Sequence, residues 1–132
     1  MPTNTIAAET IWNDSEKRIL KSLSLRSLPP LPIDPSNRYV LNSQAKKLGE
    51  QIFFDPQFSG NGKLSCASCH QPQRQFTDGL ARANGIHASG RNTQTLIGSA
   101  WMQWFYWDGR RDSLWSQALV PFEAADEMGG SR

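Results

Sequence analysis

The chain has 132 residues, a hydrophobic fraction of 38% and a net charge of +2 at pH 7. A chain of this length forms one small domain, and so weak a charge does not indicate nucleic acid as a partner. No apolar run approaches the roughly 18 residues that a membrane span requires, so no such span is predicted. Five Trp, six Phe and two Tyr are a heavy aromatic load, which suits the surroundings of a large flat cofactor.

Residues 1–40 are predicted to form a helix followed by an extended segment. The helix is expected to begin at Asp14 or Ser15 as its N-cap and to run to Leu23, with its apolar residues on one face. Residues 28–35 contain four prolines, which cannot lie inside a helix. This segment is therefore predicted to be a proline-rich strap.

Residues 41–132 are assigned to the domain that carries the chemistry. A second helix is expected with Ser43 as its N-cap, and the sequence Asp55-Pro56 is expected to end it. The polar, glycine-containing turn at residues 59–62 then leads into a short helix.

The rest of the domain is predicted to alternate loops with helices. Residues 70–93 form a Gly-rich polar loop that is long for a compact domain, and such loops are usually functional or mobile. One helix is expected from about Thr93 to the aromatic run ending at Trp107. Another is expected from Asp112 as its N-cap to a point before Pro121. Because no segment alternates like a strand, the fold class is predicted to be all-α, with short helices and long loops.

Residues 66–70 read Cys-Ala-Ser-Cys-His, the pattern in which two thiols bond to the vinyl groups of haem and the next imidazole binds iron. Cys66 and Cys69 lie one helical turn apart and can straddle two vinyls, while His70 lies beneath the macrocycle. A thioredoxin-like redox pair would need a βαβ context, and none is visible. A zinc site is weaker, because Zn²⁺ takes four ligands and only His87 remains as a further Cys or His. We therefore predict a cytochrome c-like haem domain with one covalent haem c.

Covalent haem attachment predicts a mature protein outside the cytoplasm, in the periplasm. Both cysteines belong to the haem motif, so no structural disulfide is expected. The first eight residues lack the basic and apolar regions of a signal peptide. We expect that such a peptide has been removed from this chain or replaced.

The haem motif is one of eight short motifs that follow one another along residues 40–130. They are residues 48–56, 59–62, 65–70, 76–79, 91–93, 107–110, 117–119 and 127–128. In this combination and order the sequence resembles the bacterial di-haem cytochrome c peroxidase family, which also includes the MauG-like enzymes. The resemblance implies the amino-terminal, peroxidatic haem domain of such an enzyme. A second C-x-x-C-H is absent from this sequence, so the C-terminal haem domain that receives electrons is not part of the chain.

The resemblance also implies catalytic roles for three residues. Glu127 matches the acid on the distal side of the haem, opposite His70, which moves a proton between the two peroxide oxygens. Gln117 matches its companion in the distal pocket, and Trp107 matches the tryptophan that relays electrons or a radical between the two haems. Judged without the resemblance, these residues are a solvated carboxylate, an exposed helix residue and a core tryptophan.

Two further residues are candidate metal ligands by the same resemblance. In the peroxidases a histidine on this loop binds the distal side of the haem iron and leaves when the partner haem is reduced. His87 lies closer to the 91–93 motif than that ligand does, and MauG-like members lack it. It is therefore either a distal ligand or an exposed loop histidine. Asn92 matches a ligand of the Ca²⁺ ion between the two domains, with a turn-forming asparagine as the alternative.

Three side chains have other interpretations that the sequence leaves open. Met102 and Met128 are the residue type that ligates iron in electron-carrier cytochromes, although methionines among aromatic residues are more often core filler. Tyr106 precedes the matched tryptophan, and its phenol would either hydrogen-bond in the distal pocket or simply pack.

The resemblance implies reduction of hydrogen peroxide to water. Electrons would come from a small cytochrome c or a cupredoxin and pass through the C-terminal haem domain. The sequence leaves open whether the chain forms a homodimer. One alternative is MauG-like oxidation of Trp or Tyr side chains in a partner protein. The other is a mono-haem electron-transfer cytochrome in which side chains occupy both axial positions of the iron.

Overall fold

The computed structural model describes residues 11–131, and its regular structure in that range is helical. The α-helices are α1 (Asp14–Ser22), α2 (Ser43–Phe54), α3 (Cys66–Cys69), α4 (Leu114–Ala118) and α5 (Val120–Glu123). Single 3₁₀ turns lie at Leu25–Ser27, Pro56–Phe58, Pro72–Arg74 and Ser99–Trp101. Between residues 11 and 131 there are only isolated β-bridges and no strands, which confirms the all-α prediction. None of the helices described is both long and apolar enough to cross a membrane.

The chain divides into two compact units, Met1–Pro30 and Leu31–Arg132. The division falls inside the proline-rich segment 28–35, which contains no helix, as predicted. In the first unit the N-cap of α1 is Asn13 rather than Asp14 or Ser15. The Asn13 side chain accepts a hydrogen bond from the third helical residue, whose glutamate side chain bonds back to the Asn13 N–H group. This reciprocal capping box starts the helix earlier than predicted.

In the second unit, α2 also begins one residue before the predicted position. Asn42 is the N-cap, because its side chain accepts hydrogen bonds from two backbone N–H groups of the first turn at 2.9 and 3.0 Å. Ser43 is therefore the first helical residue. The helix ends at Phe54, because Asp55 takes the extended conformation that a following proline favours.

The helix predicted for residues 93–107 is not formed. Only Ser99–Trp101 makes a single 3₁₀ turn, and Gly98 before it has φ of 84°, a conformation that ends rather than continues a right-handed helix. Farther along, the Phe105 N–H group donates to the Arg111 carbonyl at 2.9 Å. The aromatic run therefore ends in a tight loop, which we call the 105–111 loop.

The helix predicted after Asp112 is formed, but with different ends. Its N-cap is Ser113, whose hydroxyl accepts a hydrogen bond from a backbone N–H group of the first turn at 3.3 Å. The helix stops at Ala118, before Pro121 as expected. Pro121 itself lies in the first turn of α5, where its missing N–H group has no helical partner to lose.

Few side chains of the described residues are fully buried. The buried apolar residues are Phe105 and Met128, which are 7% and 5% exposed. The buried polar residues are Ser59, Ser65, Asp78, Thr93 and Ser113. These polar side chains lie at helix caps, at a turn and at the base of the 70–93 loop. The buried polar side chains of the second unit therefore lie mainly at the bases of its loops and at its helix ends.

Candidate functional site

Helix α3 presents the two cysteines from one helical turn. Ser65 begins this helix, and its N–H group donates to the Ser68 hydroxyl at 3.0 Å. Cys66 and Cys69 are free thiols of intermediate exposure. Burial raises the pKa of both, and the neighbouring cysteine or carboxylates raise it further. Both thiols are therefore protonated at neutral pH and available to form thioether bonds.

His70 follows the helix and is oriented by its neighbours. Its N–H group donates to the Cys66 carbonyl at 2.8 Å, and its Nδ1 lies 3.1 Å from the Phe76 carbonyl oxygen. Gln75 and Phe76 both take left-handed backbone conformations, with φ of 56° and 59°, which turn that carbonyl towards the ring. With the proton on Nδ1, the hydrogen bond leaves Nε2 to bind iron. The sequence predicted His70 as a ligand but gave no sign of its partner.

These residues fit a c-type haem. Two free thiols on one helical turn and an imidazole with one unengaged nitrogen are the donors that covalent haem requires. Cys66 and Cys69 would hold the vinyl groups, and His70 would hold the iron.

A buried hydrogen bond closes the base of the 70–93 loop beside α3. Asp78 and Thr93 are 6% and 7% exposed, and the Thr93 hydroxyl donates to the Asp78 carboxylate at 2.9 Å. The second carboxylate oxygen accepts the Leu80 N–H group at 3.0 Å. Asp78 raises the pKa of Cys69 and Thr93 lowers it, so both side chains lie near this thiol. This hydrogen bond therefore fixes the two ends of the segment 78–93 to each other, next to the haem-attachment helix.

The tip of the same loop is hydrogen-bonded to the backbone around Glu127. The Ile86 N–H group donates to the Glu127 carbonyl at 2.8 Å, and the His87 N–H group donates to the Asp126 carbonyl at 3.2 Å. Gly85 permits this approach, because a Cβ atom there would stand 2.7 Å from the Glu127 carbonyl oxygen and 2.8 Å from its Cα. The backbone of the predicted distal acid is therefore held by the loop that carries His87.

The turn before the haem helix holds the other side of the Glu127 segment. The Gly60 N–H group donates to the Met128 carbonyl at 2.8 Å. A Cβ atom at Gly60 would stand 3.0 Å from the Gly129 carbonyl carbon, so this contact also needs a glycine. Glu127 is thus fixed from two directions by segments that flank α3. Sequence patterns did not reveal the roles of Gly60 and Gly85, because each depends on a contact with a distant part of the chain.

Glu127 is of intermediate exposure, and its pKa is raised. Burial is the main cause, the neighbouring Asp126 carboxylate adds to it, and Arg110 partly offsets it. A carboxyl group that gives up its proton less readily than an ordinary glutamate is better matched to proton transfer near neutral pH.

The structure brings Glu127, Gln117 and Tyr106 together. Gln117 lies on α4 with its side chain partly buried. Burial raises the pKa of Tyr106, Glu127 raises it further and Gln117 lowers it, so both predicted distal residues lie close to this phenol. Glu127 and Gln117 are both of intermediate exposure rather than exposed, and their distal roles stay predictions.

The exposure of four other side chains bears on their predicted roles. Trp107, at the tip of the 105–111 loop, is 84% exposed, so the alternative of a core tryptophan is wrong for this chain. The His87 side chain is exposed. Core filler is the correct reading for Met128, whereas Met102 is 54% exposed and does not fill a core.

Asn92 is exposed, and its amide nitrogen lies 3.5 Å from the Thr93 carbonyl. Within residues 11–131 no three His, Cys, Asp or Glu side chains are placed to hold a metal ion together. A calcium site at Asn92 therefore stays a prediction that needs ligands from a second domain.

The sequence matches the family model described as di-haem cytochrome c peroxidase over residues 43–132. The chain belongs to this family. Among its relatives, the methylamine utilization protein MauG of Methylorubrum extorquens is 38% identical over 128 residues, which are 96% of this chain and 36% of MauG. Cytochrome c551 peroxidase of Pseudomonas aeruginosa is 31% identical over 90 residues, 67% of this chain and 26% of that enzyme. The resemblance inferred from the eight motifs is confirmed.

Solved structures of the family have the same fold. The crystal structure of a MauG-like protein associated with microbial copper homeostasis matches with a TM-score of 0.70 and 35% identity, over 79% of this chain and 31% of that one. The diheme peroxidase BthA of Burkholderia thailandensis matches with a TM-score of 0.62 and 28% identity, over 76% and 28% of the two chains. The chain spans about a third of the length of the curated relatives it matches.

Proposed function

We propose that this chain is the peroxide-cleaving haem domain of a di-haem enzyme that reduces hydrogen peroxide to water. The observation that carries the proposal is the placement of Glu127. This carboxyl is partly buried and has a raised pKa. The backbone around it accepts hydrogen bonds from the segment before α3 and from the loop after α3. One peroxide, two protons and two electrons give two waters, so the site needs a group that moves protons and a route for electrons.

Haem, when bound, supplies the iron that takes peroxide and delivers electrons to it. The chain supplies geometry. Cys66 and Cys69 would hold the ring edge, and the Phe76 carbonyl engages Nδ1 of the His70 imidazole, which leaves Nε2 to hold the iron.

Glu127 moves the proton. Its carboxylate would take a proton from one oxygen of peroxide and deliver it to the other, so that this second oxygen could leave as water. Both transfers need the carboxyl within hydrogen-bond reach of the substrate, and the double backbone attachment of residues 126–128 keeps it in one place. Gln117 lies close to Tyr106 in the same cluster. Its amide can orient the substrate but cannot exchange protons with it.

Electrons are proposed to arrive through Trp107. Its indole is 84% exposed at the tip of a loop stiffened by the Phe105 to Arg111 hydrogen bond and by the Asp108–Arg110 ion pair at 2.9 Å. An exposed aromatic ring on a stiff loop is suited to contact a second haem-bearing domain. That domain would receive electrons from a small cytochrome c or a cupredoxin and would complete a calcium site at Asn92. Because haem is attached covalently outside the cytoplasm, we place the enzyme in the periplasm.

The test compares two Glu→Gln substitutions in the haem-loaded chain. Glu127→Gln is expected to slow peroxide cleavage about 100-fold or more, which is the usual loss when a general acid–base group is removed. Glu50→Gln, the same substitution at an exposed position of α2, is the control and is expected to leave the rate unchanged. The rate is measured by stopped-flow absorbance after mixing with peroxide. If Glu127→Gln retains the parental rate, Glu127 is not the proton carrier.

A second candidate is MauG-like oxidation of Trp or Tyr residues in a partner protein. It is favoured by the 38% identity with MauG over 96% of this chain. The two candidates differ in where the oxidising equivalents go. A peroxidase oxidises two reduced cytochromes per peroxide and leaves protein side chains unaltered. The MauG-like reaction instead changes the mass of tryptic peptides from the partner protein, and the cytochrome donor then stays reduced.

A further inference from the structure

The hydroxyl group of Tyr106 is buried, and no group within residues 11–131 meets it at hydrogen-bonding geometry, although the Gln117 side chain lies near enough to lower its pKa. Buried polar groups in native proteins are nearly always paired, and each exception calls for an explanation such as a catalytic role or a bound ligand. Leaving such a donor unpaired costs its full desolvation penalty, because the buried O–H group has also lost its hydrogen bond to water.

The backbone holds this phenol in place under strain. Tyr106 has φ of 68°, a left-handed conformation that is a genuine outlier for a bulky side chain. The Gly109 N–H group donates to the Tyr106 carbonyl at 3.2 Å, and the Phe105 to Arg111 hydrogen bond closes the loop around it. Such strain persists only where the surroundings enforce it, and it is concentrated at functional sites.

The groups around the Tyr106 ring favour a hydroxyl that acts as a hydrogen-bond donor. The Arg110 guanidinium lies 3.5 Å from the ring centroid and covers one face by a cation–π contact. Glu127 and Gln117 are close enough to alter the phenol's pKa, and burial together with Glu127 raises it. Tyr106 therefore stays protonated at neutral pH and offers a donor beside a carboxylate acceptor.

We propose that Tyr106 is a third residue of the peroxide site and donates its O–H group to an oxygen of the small ligand that Glu127 and Gln117 face. This inference rests on the proposed function. Hydrogen peroxide has two adjacent oxygens, each of which can donate and accept a hydrogen bond. A carboxylate acceptor and a neutral phenol donor side by side are complementary to it, since Glu127 takes a proton from one oxygen while Tyr106 donates to the other.

The test compares two Tyr→Phe substitutions, each of which removes a single hydroxyl oxygen. Tyr106→Phe deletes the hydroxyl and keeps the ring. Tyr39→Phe is the matched control, because Tyr39 is the other tyrosine of the chain, is 52% exposed and also carries an arginine, Arg38, 4.9 Å above its ring. Fluoride is the probe, because this small anion binds ferric haem and is held more tightly where a hydrogen-bond donor faces it.

Tyr106→Phe is expected to weaken fluoride binding to the ferric haem-loaded chain about tenfold, the effect of one hydrogen bond to an anion. It should also lower kcat/KM for peroxide, while Tyr39→Phe changes neither value. Thermal unfolding should show no loss of stability in Tyr106→Phe, because the substitution removes an unpaired buried group. An unchanged fluoride affinity in Tyr106→Phe overturns the inference, whatever happens to the peroxide rate.

The Glu127→Gln variant separates this inference from the proposed function. If Glu127→Gln slows peroxide cleavage and Tyr106→Phe leaves fluoride binding unchanged, only the role of Tyr106 is wrong. If Glu127→Gln keeps the parental rate and Tyr106→Phe weakens fluoride binding, Tyr106 faces the ligand but the proton-transfer proposal is wrong.

Discussion

The two sides of the site are built in different ways. The side that would hold the haem is local, because Cys66, Cys69, His70 and the Phe76 carbonyl lie in one short stretch and are ordered by a single helical turn and its following loop. The predicted distal side draws Glu127, Gln117 and Tyr106 from separate segments that come close together, and the Glu127 segment is held by hydrogen bonds and close backbone approaches from distant residues. A local site survives small changes elsewhere, whereas an assembled one depends on every contact that joins it.

Among substitutions that leave the side chains of Glu127, Gln117 and Tyr106 in place, the largest effect on the assembled side is expected from Gly85→Ala. A Cβ atom at Gly85 would meet the Asp126 carbonyl oxygen and the backbone of Glu127, so the loop must move away and release the Glu127 segment. We expect the peroxide rate to fall between about 10-fold and 100-fold, because small misplacements of a catalytic group have effects of this size. The rate is measured by stopped-flow absorbance.

Gly90→Ala is the control for this substitution. Gly90 lies in the same loop, and a Cβ atom there would meet nothing within 4 Å. It should keep the parental rate, and both variants should keep the parental haem spectrum, because the His70 side is built locally. Equal rates in Gly85→Ala and the parent would show that the loop does not position Glu127.

The sequence predicted the local side well and the assembled side only by resemblance. The C-x-x-C-H spacing alone identified His70, and helix ends were wrong by one or two residues where an asparagine caps earlier than expected, as at Asn42. The helix predicted for residues 93–107 is not formed, because Gly98, with φ of 84°, interrupts it. Gly85 carried no signal, because its importance lies in the carbonyl groups it meets across the fold.

An intermediate effect is expected from Thr93→Val, which breaks the hydrogen bond at the base of the 70–93 loop. The Asp78 carboxylate is 6% exposed and would lose its bond from the Thr93 hydroxyl at 2.9 Å. Leaving a buried acceptor unpaired costs about 1–3 kcal/mol, which urea denaturation measures as a lower unfolding midpoint.

Thr77→Val is the comparison, because the Thr77 hydroxyl makes a local, exposed bond to the Arg74 carbonyl at 3.0 Å. Its loss should cost less than half as much. If the two variants are equally stable, the buried base does not fix the loop.

The smallest effect concerns the pH dependence of stability. The pKa of Glu127 is raised above its ordinary value of 4.5, mainly by burial, so the folded chain binds this proton more tightly than the unfolded chain does. The stabilising contribution of the protonated form is therefore complete below pH 4.5 and is lost as the pH rises through the folded-state pKa. Relative to Glu127→Gln, the parent should lose stability over that range in urea titrations. A difference that stays constant with pH would mean that Glu127 is not buried in the folded protein.

The most direct test of the central claim is the optical spectrum of the ferric, haem-loaded chain before and after one equivalent of hydrogen peroxide. The comparison includes the parent, Glu127→Gln and His87→Gly. The account predicts a rapid spectral change in the parent or, if His87 blocks the iron, in His87→Gly, and a much slower one in Glu127→Gln. No change in either the parent or His87→Gly would contradict the claim that this chain holds a working peroxide site.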